Sequence, residues 1–123
     1  MNRPMETGAL LSRSYALPAG PRVRLRLARS SDLPGLRRLL GRRDVEASDL
    51  AVERLVRYDP RRRVVLCATA PLDGTEAVVG VGAIETRPDA EPDTLVVDER
   101  LTSGLTELLA DALAERAGGR RVA

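Results

Sequence analysis

Thr94–Ala117, TLVVDERLTSGLTELLADALAERA, is the stretch whose reading decides the fold. It opens on a short apolar strand, passes through a turn containing Gly104, and continues as an amphipathic helix. Backbone N–H groups at a helix start have no partner within the helix, and the helix dipole there favours an anion. A small phosphorylated ligand, if the chain takes one, is therefore expected at this strand-to-helix junction. The plainer reading, in which Thr102 or Ser103 caps the helix and Gly104 is a tolerated first-turn residue, stands beside it.

Working outward, the chain has 123 residues, a length for one domain with a modest core. Hydrophobic residues make up 43% and charged residues 31%, as in a globular protein. Phe and Trp are absent and aromatics are only 2%, so the core must be aliphatic and stacking platforms for single-stranded nucleic acid are missing. All twenty basic residues are Arg, which excludes a Walker-type phosphate loop and a Schiff-base lysine. With no His, the Ser-His-Asp and Cys-His nucleophile systems and most zinc sites are excluded too. The single cysteine, Cys67, lies in the apolar run VVLCATA and reads as a buried, inert thiol. A lone cysteine forms no internal disulfide, which suits the cytoplasm, and no segment reads as a membrane span or signal peptide.

Charge is uneven. Fifteen Arg face seven acids through Arg63, and five Arg face eleven acids thereafter. The basic half could meet an acidic partner or phosphates, but two oppositely charged halves packed against each other are the commoner explanation of the asymmetry.

Residues 1–20 show no period and are expected to be a disordered tail, docking at most through Leu10, Leu11 and Tyr15. The domain then runs over residues 21–123. Val23–Arg29 alternates as a half-buried strand, with Val23, Leu25 and Leu27 on one face. Ser30-Ser31-Asp32 supplies a cap for a helix with Pro34 in its first turn and Leu33, Leu36, Leu39 and Leu40 at helical spacing, stopped by Gly41. Ser48-Asp49 caps a second helix, with Leu50, Ala51, Leu55 and Val56 as its apolar positions, ending before Asp59-Pro60.

Arg61-Arg62-Arg63 opens a strand over Val64–Ala70. A solvated strand entry is a commoner role for three such arginines than a nucleic-acid patch, so nucleic acid is not the expected partner. Asp73-Gly74 is a hairpin turn signal before a partner strand, Glu76–Thr86, whose Gly80 and Gly82 mark a bulge or a close backbone approach. Arg87–Asp93 is a polar loop. Gly118-Gly119 stops the last helix, and Arg120–Ala123 reads as the start of one more strand.

The resulting order, β-α-α-β-β-β-α, together with its residues, resembles the first part of the GNAT acyl-CoA N-acyltransferase superfamily. VRLRLARSSD with LPGLRRLL is similar to that family's opening strand and first helix, and RVVLCATA with AVVGVGAIE to its central hairpin. LVVDERLTSGLTELLADAL is similar to its fourth strand, pyrophosphate loop and third helix. The resemblance spans about residues 22–123. It implies an α/β (α+β) fold with a mixed, mostly antiparallel sheet flanked by helices, lacking the family's C-terminal strands.

The family's loop pattern, Q/R-x-x-G-x-G/A, falls on Leu101–Thr106, where only Gly104 matches. Through this loop the resemblance implies an acyl-CoA site, with acetyl-CoA as cofactor, formed by Val96, Val97, Thr102, Ser103, Gly104, Leu105 and Thr106. Asp98 and Glu99, just before the loop, are expected to repel a diphosphate. No catalytic residue can be assigned: Tyr15 and Tyr58 do not match the family's acid, and Glu85, Asp98 and Glu99 are the acids nearest the place of its base. The implied activity is transfer of an acetyl group from acetyl-CoA to an amine. The alternative is a non-catalytic module that pairs or forms a homodimer through the exposed edge of the fourth strand.

Overall fold

The computed structural model describes residues 14–18 and 20–118. Five strands form one sheet in the order β1 (Ser14–Ala16), β2 (Arg22–Leu27), β3 (Arg63–Leu72), β4 (Thr75–Glu85) and β5 (Thr94–Val97), and every pairing is antiparallel. Helices α1 (Leu33–Arg42) and α2 (Asp49–Arg54) cover one face. Helix α3 (Thr102–Gly118) covers the other.

Because both faces are covered, the central hairpin is apolar on both sides. Val64, Leu66, Ala68 and Ala70 of β3 meet α3, while Val65 and Cys67 meet α1 and α2. The β3–β4 connection is Asp73-Gly74, with φ of 53° and 80°. Positive φ at both central residues is the mirror-image turn that matches strand twist, so the Asp-Gly signal holds. The register slips at Ala68/Thr69, where β4 carries the extra residue Val79.

Gly80 and Gly82 do the second thing open to them. A Cβ on Gly80 would lie 2.9 Å from Leu109 Cδ1, and one on Gly82 would lie 2.6 Å from Leu113 Cδ1. Helix α3 therefore rests directly on the β4 backbone. Its buried face is Leu105, Leu109, Ala112 and Leu113, the i, i+4, i+7, i+8 set of one helical stripe.

Four local expectations change. Residues 14–16 are a strand rather than part of a disordered tail: Ser14, Tyr15 and Ala16 pair with Arg24, Val23 and Arg22, and Leu17 joins the core. Leu10 and Leu11 lie outside the described residues. Ser30–Asp32 forms a 3-10 turn, and Asp32 stands at the N-cap position of α1 but makes no capping hydrogen bond, because its carboxylate is used elsewhere: it accepts from Arg26 Nη1 and Nη2 and from the Arg29 N–H at 2.6–2.9 Å. Helix α1 runs on through Gly41 to Arg42 and is closed by Asp44, at φ 55°, whose N–H donates to the Gly41 carbonyl at 3.1 Å. Helix α2 ends at Arg54, and its buried positions are Val52, then Leu55 and Val56 just beyond, leaving Leu50 58% exposed. Ser48 does cap α2, accepting from the Ala51 N–H at 3.1 Å. The expected strand at Arg120–Ala123 lies outside the described residues.

Tyr58 stitches the α2 exit to the sheet: its hydroxyl donates to the Ala28 carbonyl at 2.9 Å, with the Val65 carbonyl at 3.3 Å. Burial pushes its pKa up. It is a structural hydroxyl.

Candidate functional site

Strand β5 is an edge. It pairs with β4 from Thr94↔Ala83 to Val97↔Gly80, and no strand among the described residues lies on its outer side. The Asp98 N–H then donates to the Val79 carbonyl at 2.7 Å, and a 3-10 turn, Glu99–Leu101, leads straight into α3.

The sequence-predicted residues gather at this junction in different settings. Val97 is buried against the α3 side, whereas Val96 packs half-buried against the α1/α2 side. Thr102 is exposed and Thr106 half-buried, and Ser103 belongs to the first turn of α3. Leu105 is fully buried, so only its backbone can face a ligand. The helix begins at Thr102, two residues before the expected turn glycine. Gly104 takes φ +90° inside that first turn, a backbone state that favours glycine. A Cβ there would lie 2.8 Å from Pro18 Cδ, so the segment after β1 occupies the space on that side. Packing within the chain thus accounts for the glycine.

Three arginines that sequence reasoning missed surround the junction. Asp98, 2% exposed, accepts from Arg100 Nε and Nη2 at 3.0 and 3.1 Å and from the Arg100 N–H at 3.0 Å. Arg42 Nη2, from the end of α1, stands 3.3 Å from Asp98 Oδ2, the oxygen that Arg100 Nη2 also reaches. Glu99 is held by Arg43 at 3.1 Å. The hydrogen bonds from Arg100, aided by Arg42, outweigh burial and hold the Asp98 carboxyl down to about 2.

The expected repulsion is therefore removed. Each acid before the loop is matched, and three guanidinium groups against two carboxylates leave the junction positive. Between these five side chains lies a cavity of about 60 Å³, a volume for water or a single small anionic group. Asp98 is too weak a base to take a proton from an amine. The Arg42–Asp98 contact links residues 56 positions apart, beyond the reach of local pattern, although the Arg42-Arg43 pair at a helix end was a visible signal.

Glu85 lies at the far end of β4, paired with Arg87 at 2.8 Å. Cys67 is free and buried, as expected, and burial pushes its thiol up to about 12, away from the thiolate that reactivity needs. Among the described residues no cluster of His, Cys, Asp and Glu could hold a metal ion, and no helix is long and apolar enough to cross a membrane.

The helix-flanked antiparallel sheet, with its edge strand feeding α3, is the GNAT fold. The GNAT domain of S. lividans PAT superposes on it with a TM-score of 0.70 and 20% sequence identity, covering 88% of this chain and 72% of that one. At that identity the likeness establishes the fold. No protein-family model matches the sequence, and no curated protein does.

Proposed function

We propose that this chain binds an acyl-CoA, acetyl-CoA first among them, along β5 and at the start of α3, and transfers the acetyl group to an amine. The observation that carries the reading is an edge strand, with no strand among the described residues on its outer side, running directly into a helix start ringed by Arg42, Arg43 and Arg100. The donor set suits a diphosphate: backbone N–H groups over Thr102–Thr106 would donate to its oxygens, with Thr102 and Thr106 hydroxyls beside them. The arginines raise the local anion concentration, and Asp98 fixes where Arg42 and Arg100 sit.

The open edge at Val96 and Val97 offers backbone N–H and C=O groups to an extended pantetheine arm and to the thioester carbonyl. The thioester supplies the activated acyl carbon. In the transfer the amine lone pair forms the new C–N bond, the C–S bond breaks, the amine proton leaves to water, and the thiolate takes up a proton from solvent. No carboxylate here acts as base, so positioning and oxyanion stabilisation carry the rate. The setting is the reducing cytoplasm, in keeping with a buried free thiol.

Thermal unfolding with acetyl-CoA tests the reading. Ligand at one hundred times its Kd adds about 2.7 kcal/mol and raises Tm by several degrees. No shift at millimolar acetyl-CoA would sink it. The same open edge supports a second reading, a module that pairs with a copy of itself through β5. Sedimentation would then show a dimer that dissociates on dilution, and a monomer at all concentrations contradicts it.

A further inference from the structure

At the opposite end of the sheet from α3's start, β3 opens as β4 closes. Arg63 faces Glu85 in register, and the ladder continues through the Thr86 N–H, which donates to the Arg62 carbonyl at 2.9 Å. The Thr86 hydroxyl donates to the Arg61 carbonyl at 2.6 Å, which ties the two segments together. Arg61, Arg62, Arg63, Glu85, Thr86 and Arg87 line an open depression of about 470 Å³.

The charges in it are unevenly matched. Arg87 is held by Glu85 at 2.8 Å, and Arg63 forks onto Asp93 with two contacts of 2.9 Å. That fork leaves Arg63 Nε as the one buried side-chain N or O among the described residues without a hydrogen-bond partner. An unmatched buried donor on a charged group is costly and calls for a partner. Arg61 is 90% exposed and reaches Asp59 only at 3.8 Å. The side chain of Arg62 makes no ion pair or hydrogen bond among the described residues. Arg62 is thus left over, and Arg61 is only loosely held, on a backbone that is itself fixed.

We propose that this depression is a binding site for a phosphate group carried by a small ligand. The unpaired Arg62 and the loosely held, exposed Arg61 together match a dianion in charge, and the planar donor fork of Arg matches the oxygens of phosphate in geometry. The triple-arginine run is thereby more than a solvated strand entry: the hairpin presents it beside Thr86 and Arg87 from the neighbouring strand. The site stands apart from the β5–α3 junction and holds whether or not an acyl-CoA binds there.

Titration of the full chain with inorganic phosphate, followed by amide NMR against sodium chloride at matched ionic strength, tests this. Saturable shifts at Arg61–Arg63, Thr86 and Arg87 are expected, with a Kd on the order of a millimolar. Arg62→Ala should weaken binding about tenfold, the loss of one charge-assisted hydrogen bond, with Tm little changed because the Arg62 side chain holds nothing in the fold and its backbone bonds remain. Glu85→Gln, which removes the competing carboxylate, should tighten it. The proposal is overturned by shifts that never saturate, by shifts confined to the start of α3, or by equal phosphate affinity in Arg62→Ala and the parent chain.

Discussion

Asp98 shows how much one side chain organises. Its carboxylate closes the turn after β5, orients Arg100 through a two-point contact and draws Arg42 in from α1. A folded pKa of about 2, against an ordinary value of 3.8, sets the sign of its pH dependence. Its contribution is fully present above the unfolded pKa and fades as pH falls from about 4 towards 2, amounting to roughly 1–2 kcal/mol after allowance for the exposed arginines. Acid unfolding of Asp98→Asn should therefore lose part of the slope that the parent chain shows in that window. Gly104 makes a second test. Alanine there meets both φ +90° and Pro18, so Gly104→Ala should lower stability by about 1–3 kcal/mol in urea unfolding. Cys67, fully buried with its thiol pushed up to about 12, should react with a thiol reagent only as fast as the chain opens in denaturant. The glycine and the cysteine were both visible in sequence. The partners of Asp98 were not, because α1 and the β5–α3 turn meet only in the folded chain.

Among the elements, the β3–β4 hairpin and α3 hold the fold together. Asp73-Gly74 and the two apolar runs announced the hairpin, and the run after Gly104 announced a helix, though not which of its residues would be buried. The tightness of the contact between them came from Gly80 and Gly82, whose meaning depended on where α3 lay. Leu109→Ala should cost about 2–5 kcal/mol, since the side chain is fully buried against Gly80 and the rigid hairpin cannot close the space. Gly82→Ala should also destabilise, because its Cβ would lie 2.6 Å from Leu113 Cδ1. Both are measurable by denaturant unfolding. Strand β1 was illegible for a physical reason. Three residues have no period, and their pairing with β2 and the burial of Leu17 exist only once the sheet and α3 are in place. Leu50 misled in the other direction: two adjacent apolar residues opened α2, while the face that packs is Val52, Leu55 and Val56.

At the scale of the molecule, the sheet separates two charged ends. One is the β5–α3 junction with Arg42, Arg43 and Arg100; the other is the Arg61–Arg63 and Arg87 depression. The fold was legible because element order and apolar pattern are local, and the GNAT architecture needs little more. The site was legible only as a place. Of its predicted residues, Leu105 offers backbone alone, and the arginines that make the place positive come from distant segments. The central claim is that acetyl-CoA lies along β5 and on the first turn of α3. Amide NMR of the full chain titrated with acetyl-CoA tests it most directly. Saturable shifts concentrated at Val96, Val97 and Thr102–Thr106, weakened about tenfold or more in Arg42→Ala/Arg100→Ala, are the expected result. No saturable shift at those amides up to millimolar acetyl-CoA would contradict it.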